Sequence, residues 1–257
     1  MQAPEQDPLP EEPHKRAEVA SRTEEFMDRE ASKPFGWSPA HFVEWATIEF
    51  MLGRLGIPGG ARVIDIGSGS GWTSLFLAEA GYSVDGYDLV PANVDLARRR
   101  AARWGSAARF HVADMEALPD GEESDAALVF DSLHHSGRQR AVLESLSRRI
   151  RPGGWLLLGE PTWLHRLSPG ARATTRELGW LERGLRLREL ERDLEAVGFE
   201  PPRRFFQPTA PYEGRVRGFG WQMLRLLGAN LLVAPQGHYW IAARRGGKGR
   251  GAQPPRA

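Results

Sequence analysis

A chain of 257 residues that is 41% hydrophobic and 26% charged is long enough for one large α/β domain with extensions, and it holds no purely apolar run of the roughly 18 residues a bilayer span requires. Its 34 basic and 33 acidic side chains leave a formal charge of +1, too little to draw the whole molecule to nucleic acid. The absence of cysteine excludes disulfides, thiolate metal sites and a cysteine nucleophile, including the one that C5-cytosine methylation requires.

Residues 1–16 place Pro4, Pro8, Pro10 and Pro13 among acids and are expected as a disordered tail. Without an apolar signal core in that stretch, the expected location is cytoplasmic. Helical patterns over 17–31 and 39–55 predict an N-terminal helical extension, residues 17–57, that folds over the rest as a lid. The loop joining the two helices carries Phe35 and Trp37 around Gly36.

Beyond Gly59-Gly60 short apolar runs alternate with longer helical patterns, the sign of βαβ units and a mostly parallel sheet, so a single domain is expected over 58–245. Strands are expected at 62–66, 83–87, 107–112, 125–130, 155–159, near 203–206 and at 238–243. Helices are expected at 72–80, from Pro91 to Gly105, from Val142 to the Pro152-Gly153-Gly154 stop, and at 187–197. Arg98, Arg99, Arg100 and Arg103 read as a solvated helix face.

Two stretches break the rhythm and are expected to be functional insertions, 160–185 and 208–235. Within the second, "GFGWQMLRLLGANLLVAP" carries a single charge, Arg225, and reads first as a buried helix over the sheet's edge. A lipid-like substrate pocket, a homodimer contact or a membrane surface are its alternatives. Residues 246–257 are expected as a second disordered tail.

The chemistry begins at "VIDIGSGSG", where a strand breaks into Gly67, Gly69 and Gly71. Such a turn brings bare backbone N–H groups and a helix N-terminus against a ligand. Trp72 stands where a dinucleotide fingerprint needs glycine, and no Gly-Lys-Ser/Thr follows to make a P-loop. The turn instead suits a nucleoside bearing a zwitterionic amino-acid tail. Asp88 closes the second strand, where an acid can accept from ribose hydroxyls. Asp114 and Met115 follow the third, offering a carboxylate to an adenine amino group and an apolar cover to its ring.

Residues 61–160 resemble the class I S-adenosylmethionine-dependent methyltransferases: "VIDIGSGSG" resembles their glycine-rich first motif, "GYDL" their ribose-binding acid and "ADMEALP" their adenine site. "VFDSLHHS" and "RRIRPGGWLLLGEP" resemble their later strands. The resemblance implies an α/β, Rossmann-like seven-stranded sheet of order 3-2-1-4-5-7-6 with the last strand antiparallel. It implies S-adenosyl-L-methionine as cofactor and S-adenosyl-L-homocysteine as product, bound by Asp65, Gly67, Ser68, Gly69, Gly71, Asp88, Leu89, Asp114, Met115 and Phe130. A fainter likeness, in "GEPTWLHRLSP" and "LGWLERG", is to methyltransferases acting on sugars or glycan-linked small molecules.

A hydroxyl acceptor must lose its proton, and Asp131, His134 and His135 end the fourth strand beside the expected donor, so they are the candidate catalytic residues. Glu160, His165, Phe35 and Trp37 are candidates for substrate contact, and no metal is expected. The expected activity is methyl transfer to a small-molecule acceptor, at oxygen, with no nucleic-acid partner, no stable membrane insertion and a homodimer left open. A nicotinamide-dependent oxidoreductase or a non-catalytic module on the same fold are the alternatives.

Overall fold

Val63 faces one side of the first strand and Ile64 the other, and both sides are dry: Val63 is 1% and Ile64 0% exposed. A strand buried on both faces needs helices on both, which only a crossover-connected sheet supplies. The computed structural model describes residues 11–35, 40–205, 207 and 238–247, and it shows that arrangement.

Seven strands form one sheet in the order β3-β2-β1-β4-β5-β7-β6. They are β1 (Arg62–Ile66), β2 (Ser83–Asp88), β3 (Arg109–Val112), β4 (Ser124–Phe130), β5 (Ile150–Pro161), β6 (Arg203–Phe205) and β7 (His238–Arg244). β1 to β5 pair in parallel, and β7 runs antiparallel to both β5 and β6. The expected order and the reversed last strand are therefore present.

One face carries α3 (Ala40–Leu55), α4 (Trp72–Glu79) and α5 (Pro91–Trp104), whose Ile48, Leu75 and Val94 pack on Val63, Val84 and Leu128. The other carries α6 (Gln139–Arg149) and α8 (Leu187–Ala196), whose Leu143, Leu146 and Leu190 pack on Ile64, Ile66 and Val129. Truncating such a side chain, for example Leu143→Ala, costs about 2 to 5 kcal/mol through lost transfer energy and the cavity left behind.

Several boundaries differ from the sequence pattern. The helix expected over 17–31 is two helices, α1 (Pro13–Ala20) and α2 (Glu24–Ala31), parted where the Thr23 hydroxyl accepts from Phe26 N–H and caps the second. α1 begins inside the expected 1–16 tail because Pro13 occupies its first turn and Lys15 finds buried carboxylates. α6 stops at Arg149, and β5 starts at Ile150, ahead of Pro152. Residues 160–185 contain a 3-10 turn (Trp163–Leu167) and a further helix, α7 (Pro169–Leu178). The whole of the expected insertion 208–235, with its apolar stretch 218–235, lies outside the described residues, as do Trp37 and 248–257.

Arg100 does not lie on a solvated face. It is 8% exposed and donates to Ser70 O at 2.8 Å, to Ser70 Oγ at 3.0 Å and to Lys33 O, tying the glycine turn to the N-terminal segment. Among the described residues no helix is long and apolar enough to cross a membrane.

Candidate active site

The carboxyl ends of β1, β2 and β4 open onto a cleft of about 360 Å³, roofed by α1 and α2 and closed on one side by the segment that follows α7. Its floor is the glycine turn. Gly67 (φ +69°) abuts the β4 side: a Cβ there would lie 2.3 Å from Ser132 Cβ. Gly69 (φ +54°) has open space where a Cβ would point, so bare backbone faces the cleft. Gly71 abuts Ala97 and Phe110 and does not line the cleft.

Asp65 also lies beneath the floor. Its Oδ2 accepts from the hydroxyls of Thr73 and Ser74, each at 2.6 Å, and so ties the end of β1 to the start of α4. Burial raises its pKa to about 6 against the pull of those hydroxyls. It positions the turn and does not line the cleft.

Asp88 lines the cleft and holds the turn at once. Gly69 N–H donates to Oδ2 at 2.8 Å, while Val90 N–H and the Asn93 side chain donate to Oδ1 at 2.9 and 3.0 Å. A carboxylate accepts about four hydrogen bonds, so Oδ2 keeps a lone pair for a ligand hydroxyl. Ser68 Oγ, also on the cleft, is buried without a hydrogen-bond partner. Leu89, Met115, Trp72 and Phe130 supply apolar walls. An unpaired hydroxyl, a glycine open to the cleft, a carboxylate with spare capacity and flat apolar walls fit a nucleoside with a charged tail.

Asp114 lines the cleft as expected but already has company. Lys15 of α1 donates to its Oδ2 at 2.7 Å and to Glu116 Oε2 at 2.9 Å, and Glu116 N–H donates to Asp114 Oδ1 at 2.9 Å. Lys15 thereby seats α1 over the expected adenine end. The roof is stapled at the other end too: Trp180 Nε1 donates to Ser21 Oγ at 2.9 Å, and the Arg22 guanidinium lies 4.4 Å from the Trp180 ring centre.

The polar end of the cleft is built on the turn after β4. Asp131 takes a left-handed backbone (φ 51°), and its Oδ1 lies 3.5 Å from His238 Nε2. Glu160, fully buried at the end of β5, accepts from Ser132 and Leu133 N–H at 2.9 and 2.8 Å and from His134 Nδ1–H at 2.9 Å. It holds the turn from behind and is not among the residues that line the cleft.

His134 Nε2 lies 3.5 Å from Glu182 Oε2, and burial, which disfavours its charge, is outweighed by Glu160 and Glu182, which push its pKa up to about 10. His135 donates from Nδ1 to Leu181 O at 2.8 Å, and burial beside cationic His134 pushes it down to about 4. The two rings are thus shifted in opposite directions, His134 toward its charged form and His135 toward its neutral one. His165 does reach the cluster, with Nε2 2.8 Å from Glu182 Oε2. Phe35 does not: it packs against Phe42 and Phe76, outside the cleft lining.

Lys15, Glu116, Trp180 and Glu182 were not singled out from the sequence. The irregular length of 160–185 and the fainter likeness in "LGWLERG" marked the stretch that holds the last two, and nothing marked Lys15, whose partners lie about a hundred positions away.

The sequence pattern of a methyltransferase domain matches residues 63–154. Over 166 residues the chain is 31% identical to the ubiquinone biosynthesis O-methyltransferase of Sinorhizobium fredii, covering 59% of this chain and 66% of that one. Over 118 residues it is 31% identical to the S-adenosyl-L-methionine-dependent Diels-Alderase iccD of Talaromyces variabilis, covering 44% of this chain and 40% of that one. The chain thus spans between two fifths and just under two thirds of these relatives' own lengths. Among solved structures, the magnesium protoporphyrin IX methyltransferase of Synechocystis PCC 6803, with bound S-adenosylhomocysteine, superposes with a TM-score of 0.59 at 19% identity, over 85% of this chain and 93% of that one. On strand order and sequence together, the chain belongs to the class I S-adenosylmethionine-dependent methyltransferases.

Proposed function

We propose that this chain transfers a methyl group from S-adenosyl-L-methionine to an oxygen atom of a small molecule. One observation carries the reading: a single cleft joins the open glycine turn and Asp88 to a polar cluster of Asp131, His134, His135, His165 and Glu182. When bound, the sulfonium supplies an electrophilic methyl group. The residues of the chain do the rest. Gly67, Ser68 and Gly69 receive the amino-acid tail, Asp88 the ribose, and Asp114, Met115 and Leu89 the base. The walls of Trp72 and Phe130, with the α1–α2 lid, keep water from the reacting atoms. The acceptor hydroxyl lies toward the polar cluster, where its proton is handled.

Oxygen as the acceptor atom is supported by the O-methyltransferase name of the bacterial relatives. A sugar, glycan-linked or natural-product acceptor remains the finer reading from residues 159–184. The net charge of +1 supports a small molecule over nucleic acid.

The test is calorimetric titration with S-adenosylmethionine, S-adenosylhomocysteine and NADH, followed by S-adenosylhomocysteine release against hydroxylated acceptors. Binding of the first two and not the third is expected. Binding of NADH alone would return the chain to the oxidoreductase reading. Because one relative is named a Diels-Alderase, release of S-adenosylhomocysteine, and not binding alone, decides whether methyl transfer occurs.

A further inference from the structure

His134 and His135 are adjacent in a 3-10 turn, yet their rings are held by different acceptors. His134 Nδ1–H donates to the buried Glu160 carboxylate, and His135 Nδ1–H donates to the Leu181 carbonyl. A carbonyl can only accept, so the proton on His135 sits on Nδ1 and its lone pair on Nε2. The Leu181 that orients His135 precedes Glu182, so one short segment both aims a ring and delivers a carboxylate. Glu182 is in turn fixed by His165, 2.8 Å from its Oε2.

The ligating atoms offered by His134, His135 and Glu182 all lie within 4.8 Å of one another, and His134 Nε2 is 3.5 Å from Glu182 Oε2. Nitrogen and oxygen ligands about 2.1 Å from a common ion stand about 3 to 4.2 Å apart, so small side-chain rotations bring all three within reach of one ion. The outer contacts match as well. Metal-bound histidines as a rule donate their second ring N–H to a carboxylate or a backbone carbonyl, and here one does each.

We propose that His134, His135 and Glu182 bind a first-row divalent metal ion at the polar end of the cleft, with Glu160, Leu181 O and His165 positioning the ligands. Two imidazoles and one carboxylate, with no thiolate in the chain, favour Zn²⁺, Co²⁺, Fe²⁺ or Mn²⁺ over Ca²⁺ or Mg²⁺. Binding releases the Nε2 proton of His134 to solvent, because an imidazole ligates a metal only in its neutral form, and three protein ligands leave coordination positions open toward the cleft. An acceptor hydroxyl bound there would lose its proton more readily. That last role rests on the methyl-transfer reading; the metal site does not.

The experiment uses the full chain, stripped with a chelator and titrated with Co²⁺ in the absence of S-adenosylmethionine. One equivalent should produce a visible d–d band that Zn²⁺ abolishes. His135→Ala and Glu182→Gln should each weaken Co²⁺ binding roughly tenfold or more, whereas His111→Ala, on the outer strand β3, should leave it unchanged. Should a variant fail to fold, wild-type protein decides alone: the Co²⁺ complex should show two exchangeable, paramagnetically shifted imidazole N–H resonances, from Nδ1 of His134 and of His135. A wild-type protein without a saturable band or those resonances overturns the site, as does undiminished Co²⁺ binding in folded His135→Ala and Glu182→Gln. Calorimetric binding of S-adenosylmethionine to the same stripped protein is a separate measurement, so loss of the metal proposal and loss of the methyl-transfer reading are distinguishable.

Discussion

Gly67 and Gly69 share a left-handed backbone, but a methyl group on each would meet different surroundings. Gly67→Ala adds a Cβ 2.3 Å from Ser132 Cβ, so the β1 and β4 turns must part. Gly69→Ala meets nothing within 4 Å and incurs backbone strain alone, of about 1 to 2 kcal/mol. Thermal unfolding should therefore show Gly67→Ala as the more damaging of the two. Titration should show Gly69→Ala, with its Cβ in the cleft, weakening S-adenosylmethionine binding in a protein that still folds. Asp88→Ala removes a carboxylate that orders Gly69 and lines the cleft; cofactor affinity should fall roughly tenfold or more, as expected for lost bonds to a charged acceptor. An unchanged dissociation constant would remove the ribose assignment. These positions were legible in the sequence because backbone freedom and strand-end placement are local properties. Arg100 was not, because its burial depends on the Ser70 and Lys33 carbonyls that the fold brings to it.

At the scale of elements, α1 is the informative case. Its composition, with four prolines and several acids just before and within its start, resembles a tail. What orders it is tertiary: Lys15, 4% exposed, sits between Asp114 and Glu116, and Ser21 meets Trp180. Lys15→Met should leave Asp114 and Glu116 short of a cation, destabilising the protein by about 3 kcal/mol. Hydrogen exchange should show the loss concentrated in residues 13–20, with the sheet still protected. Uniform loss across the molecule would mean that α1 is not a separable lid. Residues 160–185 were recognisable as an insertion by length alone. That Glu182 and Trp180 point to opposite tasks, one to the histidine cluster and one to the roof, follows only from how α7 and the segment after it pack.

Over the whole molecule, buried charge gives stability opposite slopes with pH. Burial works against the Glu116 charge, but Ser136, Lys15 and Arg138 hold its pKa down at about 2, below the usual 4.5. Its contribution is present above pH 4.5 and is lost as pH falls from there toward 2. Asp85, paired with Arg109 and His111 against its burial, is likewise held at about 2 and adds to the same loss. Asp65 acts the other way: raised to about 6, it is held more tightly protonated in the folded state, so it adds stability as pH falls from about 6 toward 3.8. Urea midpoints measured across pH should show Glu116→Gln flattening the loss below pH 4.5, and Asp65→Asn removing the gain between 6 and 3.8. A Glu116→Gln profile parallel to wild type would refute the paired-carboxylate account.

The alternation of short apolar runs with helical patterns determined the sheet, and "VIDIGSGSG", "GYDL" and "ADMEALP" marked the strand ends that line the cleft, because strand period, glycine conformation and the ends of parallel strands follow from local sequence. The tertiary structure decided which partner each charged group meets. Lys15 with Asp114, Arg100 with Ser70, and His134 with Glu160 and Glu182 are contacts between segments distant in the chain, and residue type alone does not distinguish a solvated charge from one buried beside its partner.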